Sequence, residues 1–386
     1  MKGGTGVLKQ FKMATKIVTG IEALSTIKSL SLKSVLIVCD PFMEKNGTAE
    51  RIKQILEENK VCCRIFSEII PDPTIDVVTK GLMATIKQKP DGLIALGGGS
   101  AMDAAKVIRH IYTMAEKSSS VQLICIPTTS GTGSEVTSFA VISDPINQSK
   151  YALVDDRMVP DLAILDPELT VSVPKSVTAD TGIDVFTHCL EALASTDATD
   201  FTDAASEKAM KIIWNDLVAV VNNGDDLALR ERVHNASCLA GIAFSEASLG
   251  ICHSLAHALG GKFHIPHGRA NALLLPHVIS YNAGLELDKE IQSLATYQRI
   301  ANLLGFQAGT PKATVYALIN GLNRQLKQLR ISSVITDYDI DSNEFLAAIP
   351  EMAVKAMEDK CTRTNPRKPT LQELEQLYKR LLRGGC

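Results

Sequence analysis

No stretch of this 386-residue sequence approaches the ~18 consecutive apolar residues that a membrane-spanning helix needs. The opening MKGGTGVLKQFKM has apolar residues at 7, 8 and 11, too few for a secretory signal or a targeting helix, and reads as a flexible leader. Runs of like charge are also missing: 40 Lys and Arg stand against 43 Asp and Glu, for a net charge of −3. Neither nucleic acid nor a membrane surface is therefore an expected partner. Nine cysteines, an odd number with no C-x-x-C pair, suit a reducing compartment better than a disulfide framework. Internal repeats and low-complexity segments are absent. These absences leave a soluble, cytoplasmic globular protein whose cysteines mostly pack as small hydrophobes.

What is present is an ordinary enzyme-like composition, 45% hydrophobic and 22% charged. The length favours two domains, because single cores seldom grow past about 250–300 residues. Over residues 1–175, short apolar runs (VLIVCD, CRIFSEI, DGLIALGGGS, LICIPTTSG, FAVISDP, LAILDPE) alternate with helical patterns (ERIKQILEENK, IDVVTKGLMATIKQK, AMDAAKVIRHIYTMAEK). That alternation predicts an α/β domain with a mostly parallel, Rossmann-like sheet. Over residues 176–386 helical periodicity takes over, in TADTGIDVFTHCLEALAS, DAASEKAMKIIWNDLVAVVNN, LALRERVHNASCLAGIAFSEA, HSLAHALGG and three later segments. This half reads as all-helical.

Two glycine-rich turns stand in the first half. Gly97-Gly98-Gly99-Ser100 leads from a buried strand into a helix, where bare N–H groups and the helix dipole can hold an anion. It is not the G-x-G-x-x-G fingerprint, since Met102 falls where the last glycine belongs, and it lacks the Walker Lys-Ser/Thr pair. Thr128-Thr129-Ser130-Gly131-Thr132-Gly133-Ser134 offers hydroxyl and backbone donors after another strand. Many such turns are merely loops rich in turn formers. Asp40 ends the first long strand; a carboxylate there can accept from a ribose diol and repel a 2′-phosphate, or can simply cap a helix.

Asp184 and His188 are four residues apart on one predicted helix face, and His253 and His257 repeat that spacing, with Gly260 and Gly261 as the expected stop. His267 sits in the predicted loop HIPHG. One carboxylate with several imidazoles suits a divalent metal, but spacing does not decide which of His253, His257, His264 and His267 would bind. The H-x-x-x-H pair lacks the Glu after its first His that a zincin protease requires.

The ordered strings GGGSAMDAAK, PTTSGTGSEVTS, PDLAILDPELT, TGIDVFTHCLEA, HNASCLAGIAFS, HSLAHALGG, HIPHG and TNPR resemble those of the iron-containing (group III) alcohol dehydrogenase family over almost the full length. FSEIIPDPTI and DFTDAASEKA resemble most its propanol-acting branch from propanediol-degrading systems. The resemblance implies an N-terminal dinucleotide-binding domain and a C-terminal metal and substrate domain. It implies Asp184, His188, His253 and His267 as ligands of Fe²⁺, with Zn²⁺ as a substitute, and His257 as a non-ligand that faces the nicotinamide and helps to move protons. It further implies that Asp40, Gly97, Gly98, Gly99, Ser100, Asp103, Thr128, Thr129, Ser134 and Lys150 serve NAD(H), and that Phe244 and Cys361 line the substrate pocket. The implied reaction interconverts short primary alcohols and aldehydes, in a homodimer housed in the cytoplasm or in a bacterial microcompartment. The competing expectations are a related polyol or lactaldehyde oxidoreductase, and a non-catalytic partner in a multi-enzyme assembly.

Overall fold

The computed structural model describes residues 9–116, 121–145 and 149–383, with 149 and 150 described by backbone alone. The chain divides into two compact units, one of Met13–Pro174 with Asn223–Gly241, the other of Met1–Lys12, Lys175–Asn222 and Ile242–Cys386. Residues 1–8 of the expected leader lie outside the described residues. Residues 9–11 are anchored: Lys9 Nζ donates to the carbonyls of Thr196 (3.0 Å) and Ala198 (2.7 Å), and Phe11 stacks on Phe201.

The first unit runs β1 (Lys16–Thr19), β2 (Ser34–Cys39), α1 (Pro41–Lys45), α2 (Thr48–Glu58), β3 (Cys62–Phe66), α3 (Ile75–Gln88), β4 (Gly92–Gly97), α4 (Gly99–Glu116), β5 (Gln122–Pro127), β6 (Phe139–Asp144), β7 (Ser149–Val154) and β8 (Leu162–Leu165). Six strands form one sheet in the order β1-β8-β5-β4-β2-β3, and every pairing is parallel. Alternate residues of each strand feed opposite cores. Leu36, Val38, Leu93, Ala95, Leu123 and Cys125 pack with α3 and α4, whereas Val35, Ile37, Ile94, Leu96, Ile124 and Ile126 pack with α2 and the 3₁₀ segment Ala23–Ser29. A sheet covered on both faces explains why these strands read as continuous apolar runs. FAVISDP departs from expectation: β6 pairs antiparallel with β7 in a separate two-stranded ribbon. Its burial alternates along the strand, the mark of a half-covered ribbon.

The chain continues as α5 (Lys175–Ala194), α6 (Asp200–Asn222), α7 (Leu227–Ala247), α8 (Ile251–Phe263), α9 (His267–Asn282), α10 (Gln292–Leu303), α11 (Pro311–Gln328), α12 (Ser342–Glu358) and α13 (Leu371–Arg380). Helix α5 is buried on nearly every face and packs against α6 and α9; α8 packs against α9 and α12. Two local expectations are corrected. Gly260 and Gly261 do not stop α8, which runs to Phe263 and ends at His264 in the left-handed conformation (φ 56°), its N–H donating to the Gly260 carbonyl. His267 is not in a loop but opens α9 behind Pro266. No single helix among the described residues is long and apolar enough to cross a membrane.

Candidate metal centre and cofactor turns

The helical pattern of α5 sets Asp184 and His188 one turn apart on the same face. Helix α8 supplies His253, and α9 supplies His267 from its first turn. The close approach of α9 to α5 depends on Gly268, where a β-carbon would fall 2.0 Å from the Asp180 carbonyl oxygen. One donor atom from each of Asp184, His188, His253 and His267 lies within 4.8 Å of the others. The Nε2 atoms of His188, His253 and His267 stand 4.0, 3.6 and 3.5 Å from a single oxygen, Asp184 Oδ1. These distances are too long for hydrogen bonds, yet two donors each ~2.1 Å from one ion in a tetrahedral arrangement lie about 3.4 Å apart.

The electrostatics agree with a cation at that point. His253 Nε2 is buried without a hydrogen-bond partner. Burial works against a charge on His253, but Asp184 and Glu191 on either side of the ring outweigh it and raise the imidazole to about 9. Burial likewise opposes ionisation of Asp184, yet the facing His188, His267 and His253 hold its carboxyl far below the usual range. Burial lowers His188 to about 3, leaving it neutral with a lone pair to give. One carboxylate and three imidazoles fit a divalent transition metal such as Fe²⁺ or Zn²⁺.

Around this cluster lie residues that spacing alone did not reveal. Asn271 Nδ2 donates to Asp184 Oδ1 at 2.8 Å, and Glu191 Oε2 is 2.6 Å from His253 Nδ1. Asp359 Oδ2 is 2.8 Å from Nδ1 of His257, whose ring stacks on that of His267 at 5.2 Å. Glu191 was visible as an i, i+3 neighbour of His188 in THCLEA; Asp359 and Asn271 carried no such signal. Cys361 follows Asp359 in a 3₁₀ turn and its N–H donates to Asp359 Oδ1. Phe244 stacks on His188 with centroids 4.5 Å apart. His264, the helix cap, is not in the cluster.

In the first unit, Asp40, the GGGS turn and the hydroxyl-rich turn follow β2, β4 and β5, three adjacent parallel strands, at their carboxyl ends. That edge is where open α/β sheets bind ligands. The two turns interlock. Thr128 N–H donates to the Gly97 carbonyl, and β-carbons at Gly98 and Gly99 would come within 3.2 Å of Thr129 Oγ1 and 2.8 Å of Thr132 Cγ2. Gly97 itself has φ 143°. Ser100 stands in the first turn of α4. Asp40 does cap α1: its Oδ1 accepts from the N–H groups of Phe42 (2.8 Å) and Met43 (3.0 Å), while Oδ2 faces Gly97. Asp103 and Ser134 are bonded to each other at 2.7 Å, and Asp103 Oδ2 accepts the Val141 N–H. Beneath them Lys106, fully buried, donates to Ser134 Oγ, Thr137 Oγ1 and the Phe139 carbonyl. Ser130 Oγ is 2.9 Å from Nδ1 of buried His234. Lys150 pairs with Ser143 in the ribbon; its side chain lies outside the described atoms.

Comparison with known proteins follows the same division. Residues 14–167 match the sequence model of the iron-containing alcohol dehydrogenases, and residues 178–382 match that of the Fe-containing alcohol dehydrogenase family, C-terminal. The chain is 42% identical over 381 residues to 1-propanol dehydrogenase PduQ of Salmonella typhimurium, covering 97% of this chain and 100% of that one. An iron-containing alcohol dehydrogenase from Thermococcus thioreducens has the same fold (TM-score 0.89, 30% identity, 97% and 100% coverage). So does sulfoacetaldehyde reductase from Bifidobacterium kashiwanohense, solved in complex with NAD+ (TM-score 0.86, 25% identity, 98% and 100% coverage). Matches that span both units, at this identity, leave one conclusion: the chain belongs to the iron-containing alcohol dehydrogenase family.

Proposed function

We propose that this protein is a metal-dependent, NAD(H)-linked alcohol dehydrogenase that interconverts short primary alcohols and aldehydes, with 1-propanol and propanal as the preferred pair. The observation that carries the reading is the convergence of three imidazole nitrogens on one oxygen of Asp184, in a chain so similar to a 1-propanol dehydrogenase. The division of labour in this reading is residues 1–175 for the dinucleotide and 176–386 for metal and substrate, except that Asn223–Gly241 pack with the first unit, where His234 meets Ser130. An ion held by Asp184, His188, His253 and His267 supplies Lewis acidity towards an alcohol or carbonyl oxygen, and NAD supplies the hydride acceptor.

The remaining work falls to the chain's own residues. Asp359 engages His257 Nδ1, so Nε2 is the nitrogen that holds or passes the proton. The ring of Phe244 offers an apolar wall beside His188, matching a small aliphatic substrate rather than a polyol. Cys361, grouped with His257 and Asp359, is the second pocket residue in this reading. Interlocked glycines and threonines present backbone N–H groups for a pyrophosphate, and Asp40 disfavours a 2′-phosphate.

Fe²⁺ is the working ion in this reading, although the donor set binds Zn²⁺ more tightly on general grounds. The family resemblance also supports a homodimer housed in a bacterial microcompartment, the first of which sedimentation would test. The decisive experiment follows NADH oxidation with propanal in chelator-stripped protein, then after anaerobic addition of Fe²⁺ or Zn²⁺. Turnover that returns only with metal supports the proposal. No turnover with either ion, in protein that still binds NADH, rules it out.

A further inference from the structure

The histidine-bearing helix α8 starts without a capping side chain. Its N-cap is Gly250, and the first three N–H groups of an α-helix have no partner within the helix. All three are nevertheless satisfied from outside. Ile251 N–H donates to Asn365 Oδ1 at 3.2 Å, Cys252 N–H to Glu191 Oε1 at 2.7 Å, and His253 N–H to Glu191 Oε2 at 3.3 Å. The fourth, on Ser254, donates to the Gly250 carbonyl and begins the ladder.

Glu191 thus caps a helix to which it does not belong. It stands on α5, three residues after His188 and seven after Asp184, on the same face. The same Oε2 lies 2.6 Å from His253 Nδ1. A carboxylate has no proton to give, so Nδ1 carries the hydrogen, and Nε2 is the nitrogen left to give a lone pair to an ion that displaces its proton. That Nε2 is the buried, unpartnered atom 3.6 Å from Asp184 Oδ1. Gly250 is what admits the carboxylate. A β-carbon there would fall 2.7 Å from Glu191 Oε1 and 2.8 Å from Asn365 Oδ1.

We propose that Glu191 is a positioning residue for the metal centre, one carboxylate that sets the start of α8 and fixes His253 as the tautomer whose Nε2 faces the ion. The inference rests on the metal reading above and adds a residue to it. A ligand imidazole whose other nitrogen donates to a carboxylate is oriented and made more basic, and losing such a partner costs 10–100-fold in metal affinity as a rule of thumb, roughly. Glutamine cannot replace this glutamate. It has one acceptor oxygen where three N–H donors arrive from two sides, so its NH₂ group must face either Cys252 N–H or His253 Nδ1–H.

The test reads metal binding, not turnover. Zn²⁺ and Co²⁺ affinities are measured by chelator competition on wild type, Glu191→Gln and Gly250→Ala, with the visible spectrum of the Co²⁺ protein recorded at saturation. The expected result is affinity about 10–100-fold weaker in Glu191→Gln and an altered Co²⁺ spectrum. Gly250→Ala, which keeps every donor and acceptor but displaces the carboxylate, should change both in the same direction and covers the case in which Glu191→Gln does not fold. Unchanged affinity and spectrum in a folded variant would overturn the inference while leaving the metal reading intact. A wild-type protein that binds less than one ion per chain would instead bring down the reading on which it rests.

Discussion

His257 and Asp359 form a held pair: Nδ1 and Oδ2 are 2.8 Å apart, and the carboxylate is fixed in turn by the Cys361 N–H on its other oxygen. Burial opposes ionisation of Asp359, but the bonds from His257 and Cys361 keep it deprotonated well below the ordinary range. The imidazole therefore has one free nitrogen, on a ring that is 42% exposed. His257→Gln should lower kcat for propanal reduction by about 10²–10⁴-fold, the usual contribution of a positioned acid or base. Asp359→Asn should lower kcat by less, roughly tenfold, with KM nearly constant, because the amide oxygen still accepts from Nδ1–H but the charge is gone. Steady-state kinetics across pH on metal-loaded enzyme decide it. A His257→Gln enzyme with the wild-type rate and pH profile removes the histidine from the proton path.

Asp40 carries two jobs on its two oxygens, and they can be separated. Oδ1 caps α1 and Oδ2 faces the Gly97 turn. Asp40→Asn keeps an N-cap of nearly equal quality but loses the charge. It should melt like the wild type and use NADPH better relative to NADH. Asp40→Ala should shift the preference in the same way and also lose about 1 kcal/mol of stability. Thermal melts beside kcat/KM for both dinucleotides distinguish the two; an unchanged NADH-to-NADPH ratio in Asp40→Asn reduces this residue to a cap.

Most of the fold could be read from periodicity because the elements are either covered on both faces or clearly amphipathic. The runs that became β2, β4 and β5 are apolar throughout and bounded by turn residues. What escaped notice had a physical reason. Helix α9 is buried along almost all of HGRANALLLPHVISYN and contains Pro276, so it shows neither amphipathic period nor an uninterrupted helical string. Helix α12 contains Pro350 in the same way. Strand β1 is as short as β8 but lies at the sheet edge with no buried residue, so it lacks the all-apolar run that marks β8. At the metal centre, helical spacing could place Asp184 with His188, and His253 with His257. Only folding could bring the start of α9 to α5, because the permit is the absent side chain of Gly268. The polar partners of these side chains, Asn271 for Asp184, Glu191 for His253 and Asp359 for His257, come from contacts 87, 62 and 102 residues apart in sequence, and only Glu191, three residues after His188, carries a local signal.

Glu135 should make stability fall as pH rises. Burial lifts its carboxyl from 4.5 to about 7, with the Cys238 thiol as a partner that opposes the rise. Between those two values the folded protein holds a proton that the unfolded chain has released. Stability therefore declines from pH 4.5 to pH 7 and the contribution is level above that, a loss on the order of 3 kcal/mol. Glu135→Gln cannot ionise and should abolish this slope. The variant should match the wild type near pH 5 and unfold at higher temperature or denaturant at pH 8. Parallel unfolding curves of the two proteins across that range would show that Glu135 titrates normally.

Lys106 is the support beneath the hydroxyl-rich turn, and its loss should be felt both in stability and in dinucleotide binding. All three ammonium protons are used, on Ser134, Thr137 and the Phe139 carbonyl, and the side chain has no exposed surface. Burial pulls its pKa down and Asp103 pushes it back, so the pair is mutually dependent. Lys106→Met leaves Asp103 without its counter-charge and should cost about 3–5 kcal/mol, as removal of one partner from a buried pair does. Adding Asp103→Asn should then cost less than its effect in the wild type, since the two changes share one interaction. NADH affinity, followed by fluorescence titration, should weaken in Lys106→Met because Ser134 and Thr137 lose the anchor that sets the turn. A destabilised Lys106→Met protein that binds NADH as tightly as the wild type would confine Lys106 to holding the fold, with no part in shaping the cofactor turn.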